Sequence, residues 1–156
     1  MKLYLLFIGL SLCFSLGVTS SCSYKTTPTA SVNFLAGSNG TITMRAIGIG
    51  INTEDAINDA EKNAMNVILF RGLPESEQKL ALVGSNELEE LEKNKAYFSK
   101  FYGANRYKTF IMSSINTTEL IIKKGSKKSI AVDIKINYQA LKRDLEQNNI
   151  IRKFGF

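Results

Sequence analysis

The chain has 156 residues and a formal net charge of +6, with no histidine and no tryptophan. Its two cysteines, Cys13 and Cys22, both lie near the N-terminus. This composition excludes Ser-His-Asp triads and Cys-His dyads, and it leaves the usual zinc sites without ligands. An enzyme would need carboxylates, Lys, Tyr or Ser alone, so we expect a non-catalytic protein without metal or cofactor.

Residues 1–21 have the pattern of a secretory signal peptide. Lys2 is the only charge in the first 24 residues, and the apolar run 3–18 is shorter than the ~20 residues that span a bilayer. Small residues then lead to Cys22, as in a bacterial lipoprotein signal, although Thr19 stands where such signals usually carry Leu or Val. We therefore expect cleavage before Cys22 and acylation of its thiol, with palmitate as a typical chain. That would anchor the protein in the cell envelope, at the outer membrane, facing the periplasm or the surface.

Two other interpretations of the cysteines remain open. Cys13 and Cys22 could form a disulfide in an uncleaved segment, inside or beside the hydrophobic run. Alternatively, the chain could be an ordinary secreted protein with a spare thiol.

Removing 21 of the 156 residues leaves 135, enough for one domain with a proper core. Residues 22–39 are rich in Ser, Thr, Asn and Gly and predict a lipid-anchored tether, followed by a single domain over 40–156. Within the tether, Val32–Leu35 could instead be a short edge strand.

The first element of the domain is a β-branched, alternating strand over 41–51. Asn52 or Thr53 then begins a helix that ends at Gly72 and Pro74. Small residues recur on both elements, as Gly48 and Gly50 in the strand and as Ala56, Ala60 and Ala64 in the helix. We expect these two small faces to pack tightly together.

The rest of the chain predicts a second helix from Asn86 to Gly103, strands over 107–115 and 119–123, a turn at Gly125-Ser126, a strand over 130–138 and a helix over 140–147. The order is β-α-α-β-β-α. This order predicts an α+β fold in which helices cover one face of a small antiparallel sheet.

The spacing Ala46-x-Gly48-x-Gly50, followed by Ala56-x-x-x-Ala60-x-x-x-Ala64, resembles the small 20-kDa bacterial lipoproteins and the N-terminal domain of flagellar outer-membrane ring proteins. The resemblance covers about residues 41–138. It implies a lipid-anchored envelope component without catalytic residues.

Two features are candidate contacts for a partner or an anionic surface. One is a basic hairpin tip formed by Lys123, Lys124, Lys127 and Lys128, which could equally be a solvated tip protected by lysine. The other is Tyr102, in an aromatic cluster of which half should be core. Nucleic acid is not expected as a partner of an exported protein.

These observations predict a non-catalytic, lipid-anchored envelope protein that docks other envelope proteins. The alternative is a small-ligand binding module or minimal enzyme with its pocket between helices and sheet.

Overall fold

Four antiparallel strands form one sheet in the order β1-β2-β4-β3 in the computed structural model, which describes residues 32–120 and 128–153. The strands are β1 Val32–Ser38, β2 Thr41–Gly50, β3 Ile111–Leu120 and β4 Lys128–Asn137. The α-helices are α1 Thr53–Phe70, α2 Glu87–Lys93, α3 Lys95–Phe98 and α4 Tyr138–Gln147. The predicted α+β class and antiparallel sheet are confirmed. None of the helices in the described ranges is both long and apolar enough to cross a membrane.

The predicted tether over 22–39 extends too far, because Val32–Ser38 is strand β1. Val32–Ser38 pairs antiparallel with β2, with Val32 opposite Ala46 and Ser38 opposite Thr41. Asn39 and Gly40 make the connecting turn with positive φ, which Asn and Gly adopt at low cost. The polar composition concealed this strand because only Val32 and Phe34 face the core side. The predicted signal peptide, Cys22 and residues 22–31 lie outside the described residues.

The predicted contact between small residues is confirmed. Gly48 lies so close to α1 that a Cβ built on it would overlap the carbonyl oxygen of Ala56 and lie 2.9 Å from the Cβ of Ala60. Ala56, Ala60 and Ala64 are all fully buried. Helix α1 therefore approaches β2 at backbone distance, which only glycine in the strand permits.

The ends of α1 follow the predicted caps. The Asn52 side chain accepts a hydrogen bond from the backbone N–H of Asp55 at 2.8 Å. At the other end, Gly72 has a φ of +79° and its N–H donates to the carbonyl of Val67 at 2.7 Å.

Strand β4 is the centre of the core. Ile130, Val132, Ile134 and Ile136 are fully buried on the face beneath α1, which confirms the predicted alternation. The strand ends at Asn137, one residue before the predicted Tyr138. Asn137 accepts a hydrogen bond from the N–H of Ala140 at 2.9 Å and so starts α4 at Tyr138.

The second predicted helix is not continuous. Asn86 caps it as expected, but Asn94 interrupts it between α2 and α3, and Ser99–Gly103 forms a π-helical turn. The Asn94 side chain donates to the carbonyl of Glu90 at 3.1 Å, and the same carbonyl also accepts the backbone N–H of Asn94.

The predicted strand over 107–115 is wrong in its first part. Arg106–Phe110 is a 3₁₀ helix, and β3 begins only at Ile111. Tyr107 and Phe110 are both buried, and their three-residue spacing places them on one side of a 3₁₀ turn. Burial of two aromatic rings outweighed the β propensity of the segment.

Candidate functional site

One face of the sheet lacks a covering helix in the described part of the chain. In β2, Ile47 and Ile49 point away from α1, because side chains alternate across a strand and Gly48 faces the helix. Ile49 is 50% exposed, and Ile115 on β3 is 61% exposed. We call this the open face. Exposed branched side chains on an ordered sheet are the feature of the molecule best suited to contact another protein.

An ion pair lies at the centre of the open face. Arg45 on β2 and Asp133 on β4 are opposite each other, and Asp133 is in turn opposite Ile115 on β3. The guanidinium donates twice to the carboxylate, from Nε at 2.6 Å and from Nη2 at 2.9 Å. The hydrogen bond and charge of Arg45 lower the pKa of Asp133. The pair supplies a charged, directional feature between apolar neighbours.

The lysines of the predicted basic tip cannot be placed together. Lys123, Lys124 and Lys127 lie outside the described residues. Lys128 is the first residue of β4 and pairs with Gly50. The basic tip therefore stays a prediction.

Tyr102, the other predicted contact residue, lies in the π-helical turn and is half-buried. Its hydroxyl donates to Oδ1 of Asn66 on α1. Burial is the main cause that raises the pKa of Tyr102. The residue ties the π turn to α1, and this contact leaves only part of its ring for a partner.

The aromatic cluster is mainly core, since four of its six members are buried where half were expected to be. Phe98, Phe101, Tyr107 and Phe110 are buried, whereas Tyr97 and Tyr102 are partly exposed. Phe101 is central, since its ring contacts those of all five other members. The cluster fixes the irregular helical layer against α1.

A groove of 790 Å³ separates α1 from that helical layer. Leu88, Leu91, Phe98 and Tyr102 supply its apolar wall. Asp59, Lys62 and Asn66 line it from α1, with Glu92 and Lys95 opposite. It lies between helices, whereas the sequence suggested a pocket between helices and sheet. Charged groups of both signs and apolar side chains make it a candidate for a small amphipathic ligand.

A buried polar cluster joins α1 to β3. Glu61 Oε1 accepts a hydrogen bond from the Ser114 hydroxyl at 2.8 Å, and Oε2 lies 3.7 Å from Nζ of Lys108. The Tyr107 hydroxyl is buried without a hydrogen-bond partner among the described residues. Burial, with a smaller effect of Glu61, raises the pKa of Tyr107 to about 12. These groups fix the 3₁₀ helix and β3 against α1, which is a structural role.

No group of three or more His, Cys, Asp or Glu side chains in residues 32–120 and 128–153 could hold a metal ion.

Comparisons of the chain with protein-family models, curated proteins and solved structures find no match. The resemblance to small envelope lipoproteins therefore stays a prediction that depends on the glycine and alanine spacing.

The open face is not among the features predicted from the sequence. The signal was present in residues 47–51, where Ile47, Ile49 and Ile51 alternate with Gly48 and Gly50. The small residues mark the face that packs on α1, and the same alternation puts Ile47 and Ile49 on the other side of β2. The exposure of Ile115 could not be inferred, because it depends on which strand forms the sheet edge.

Proposed function

We propose that this chain is a non-catalytic, lipid-anchored protein of the bacterial envelope, held at the outer membrane through Cys22, that docks other envelope proteins through its open face. The observation that carries the proposal is the exposure of Ile49 and Ile115 on an ordered sheet. Burying such side chains at an interface contributes roughly 25 cal/mol per Å² of apolar area. The bidentate pair of Arg45 and Asp133 adds orientation to this apolar contact.

The absence of histidine and the signal-like N-terminus support the non-catalytic, anchored part of the proposal. A lipid anchor raises the local concentration of the domain beside membrane-bound partners, so a modest interface suffices.

The anchor is tested by Cys22→Ala. We expect the variant to leave the membrane fraction and to lose labelling by a fatty-acid analogue. A Cys13→Ala variant is the matched control and should remain in the membrane fraction. Unchanged membrane partition of Cys22→Ala would contradict the anchor.

Docking is tested by site-specific photocrosslinking in the native membranes. A photoreactive residue at Ile49 should capture a defined set of envelope proteins. The same residue at Gln147, which is exposed on α4, is the control and should not capture that set. Ile49→Glu should abolish recovery of the same proteins while changing the free energy of unfolding by no more than about 0.5 kcal/mol. Identical capture from both positions, or none from Ile49, would contradict docking through the open face.

A second candidate function is the binding of a small amphipathic ligand in the groove beside Tyr102. The groove volume of 790 Å³ and its mixed lining favour it. Native mass spectrometry of the purified protein would detect such a ligand as a co-purifying mass. Loss of that mass in Leu91→Glu, but not in Ile49→Glu, would assign it to the groove.

A further inference from the structure

Strand β2 is protected by side chains where it extends beyond β1. Beside β1, strand β2 continues past Val32, the first described residue of β1. There the N–H of Ile49 donates to Asp59 Oδ2 at 2.9 Å, and the carbonyl of Ile47 accepts from Asn63 Nδ2 at 2.9 Å. Two side chains of α1 thus occupy backbone groups that an added strand would need.

At the edge formed by β3, no side chain of the described residues is recorded on the outward backbone groups of residues 113–116. Among the described residues, β4 pairs with one side of β3 and no strand pairs with the other. Residues 111–118 contain no charge and no proline, the two features that commonly prevent edge pairing. Register shifts occur between Ile111 and Ser113 and between Asn116 and Thr118. Only residues 113–116, between the two shifts, are regular strand, so another strand can pair with β3 only there.

The pairing direction of this run follows from the register. Ile47 directs its carbonyl away from β4, so Ala131 opposite it directs its own groups toward β3. Asp133, two residues further along β4, has the same orientation as Ala131, and it lies opposite Ile115. Ile115 therefore turns its backbone N–H and C=O groups toward β4. Because this orientation alternates from one residue to the next, Ser114 and Asn116 turn their backbone groups outward, away from β4.

We propose that β3 pairs antiparallel with β3 of a second copy of this chain, around a two-fold axis at Ile115. Ser114 of one copy then faces Asn116 of the other, and each such pair exchanges both of its N–H···O bonds. The two sheets become one continuous eight-stranded sheet. The interface is isologous, as in most homodimers.

A second copy suits this edge better than an unrelated strand for two reasons. First, the uncharged run meets itself across the axis without like-charge repulsion. Second, an axis at Ile115 brings the two Ile115 side chains together on the same side of the sheet, where each is otherwise 61% exposed. An antiparallel pair of this kind keeps both open faces on one side, so the dimer presents two copies of Ile49 and of the Arg45–Asp133 pair to a partner. The pairing does not depend on the lipid anchor.

The test measures the oligomeric state of the full chain in detergent by sedimentation equilibrium. We expect a dimer. Asn116→Pro removes an outward N–H and should raise the dimer dissociation constant about tenfold or more. Ile115→Lys places two ammonium groups opposite each other and should do the same. Ile49→Lys is the matched control, with the same charge change on the same face but away from the edge, and should leave the dimer intact.

Circular dichroism and the melting temperature of each variant verify that it folds. A crosslink gives independent evidence on the position: in the full chain carrying Cys13→Ser and Cys22→Ser, a short bis-maleimide should join two copies of Ile115→Cys but not of Ile49→Cys. A wild-type chain that stays monomeric up to about 1 mM would overturn the proposal. So would a dimer that Ile49→Lys dissociates and Asn116→Pro does not, since that result assigns the interface to the sheet face.

Discussion

The two faces of strand β2 have opposite properties within ten residues. Toward α1 the strand presents Ala46, Gly48 and Gly50, which are buried. Away from α1 it presents Arg45 and Ile49, which are exposed. Where α1 crosses β2, the covered face has small residues and the two backbones approach closely, although Ile42 and Met44 are large and buried further along that face. The open face carries large residues at Arg45 and Ile49.

This difference indicates how each face should respond to change. On the covered face, van der Waals contact with a helix backbone leaves no room for an added methyl group. At the exposed positions of the open face, such as Ile49 and Ile115, water can accommodate a different side chain, so substitutions there should alter binding and leave stability nearly unchanged.

The largest effect is expected at Gly48. Gly48→Ala would place a Cβ 2.5 Å from the backbone N of Ala60, so α1 must move as a unit. We expect the free energy of unfolding to fall by about 3 kcal/mol, at the upper end of overpacking effects, measured by urea denaturation. The matched control is Gly37→Ala in β1, whose Cβ would have its nearest neighbours at 3.4 Å. Equal stability of the two variants would show that α1 does not pack on β2 as described.

How far the sequence predicts this architecture depends on whether the signal is local. The α1 helix, its caps and its packing on Gly48 were predictable because four-residue alanine spacing and strand glycines are local patterns. Strand β4 was predictable from its alternation. The 3₁₀ helix at Tyr107 was not, because its conformation depends on where the two aromatic rings find the core.

The candidate site was less predictable than the fold. The sequence predicts Tyr102 as a possible partner contact, but its hydroxyl donates to Asn66, which is 36 residues away in the chain. The unprotected edge at β3 depends on the strand order, which places the last hairpin with β4 inside and β3 outside. No residue of β3 encodes that position by itself, although its lack of charge over 111–118 is visible in the sequence.

An intermediate effect on stability is expected at alkaline pH, through Tyr107 in the core. Burial raises the pKa of Tyr107 to about 12, whereas an unfolded tyrosine titrates near ~10. The neutral form is therefore favoured by folding. The stability it provides is complete below pH ~10 and is lost as the pH rises through ~10 to 12. Urea denaturation between these values should show a falling midpoint.

Tyr107→Phe is the sharpest control for this effect. The Tyr107 hydroxyl has no hydrogen-bond partner among the described residues, so its removal should cost little at neutral pH. The variant should lose less stability than the wild type between pH ~10 and 12. A large loss at pH 7 would instead reveal that the hydroxyl is bonded in solution.

The smallest effect is expected on the open face, at the ion pair of Arg45 and Asp133. Asp133→Asn preserves an acceptor for Arg45 and removes the charge, and both partners are accessible to solvent, which screens their attraction. The lowered pKa of Asp133 means that its contribution is present above the unfolded pKa of ~3.9 and is lost as the pH falls through the folded value. The difference between the variant and the wild type in urea midpoint should therefore be slight at pH 7, should shrink with added salt and should disappear in acid. A loss as large as that of Gly48→Ala would mean that this pair is shielded from water, and hence that a partner already covers the open face of the purified protein.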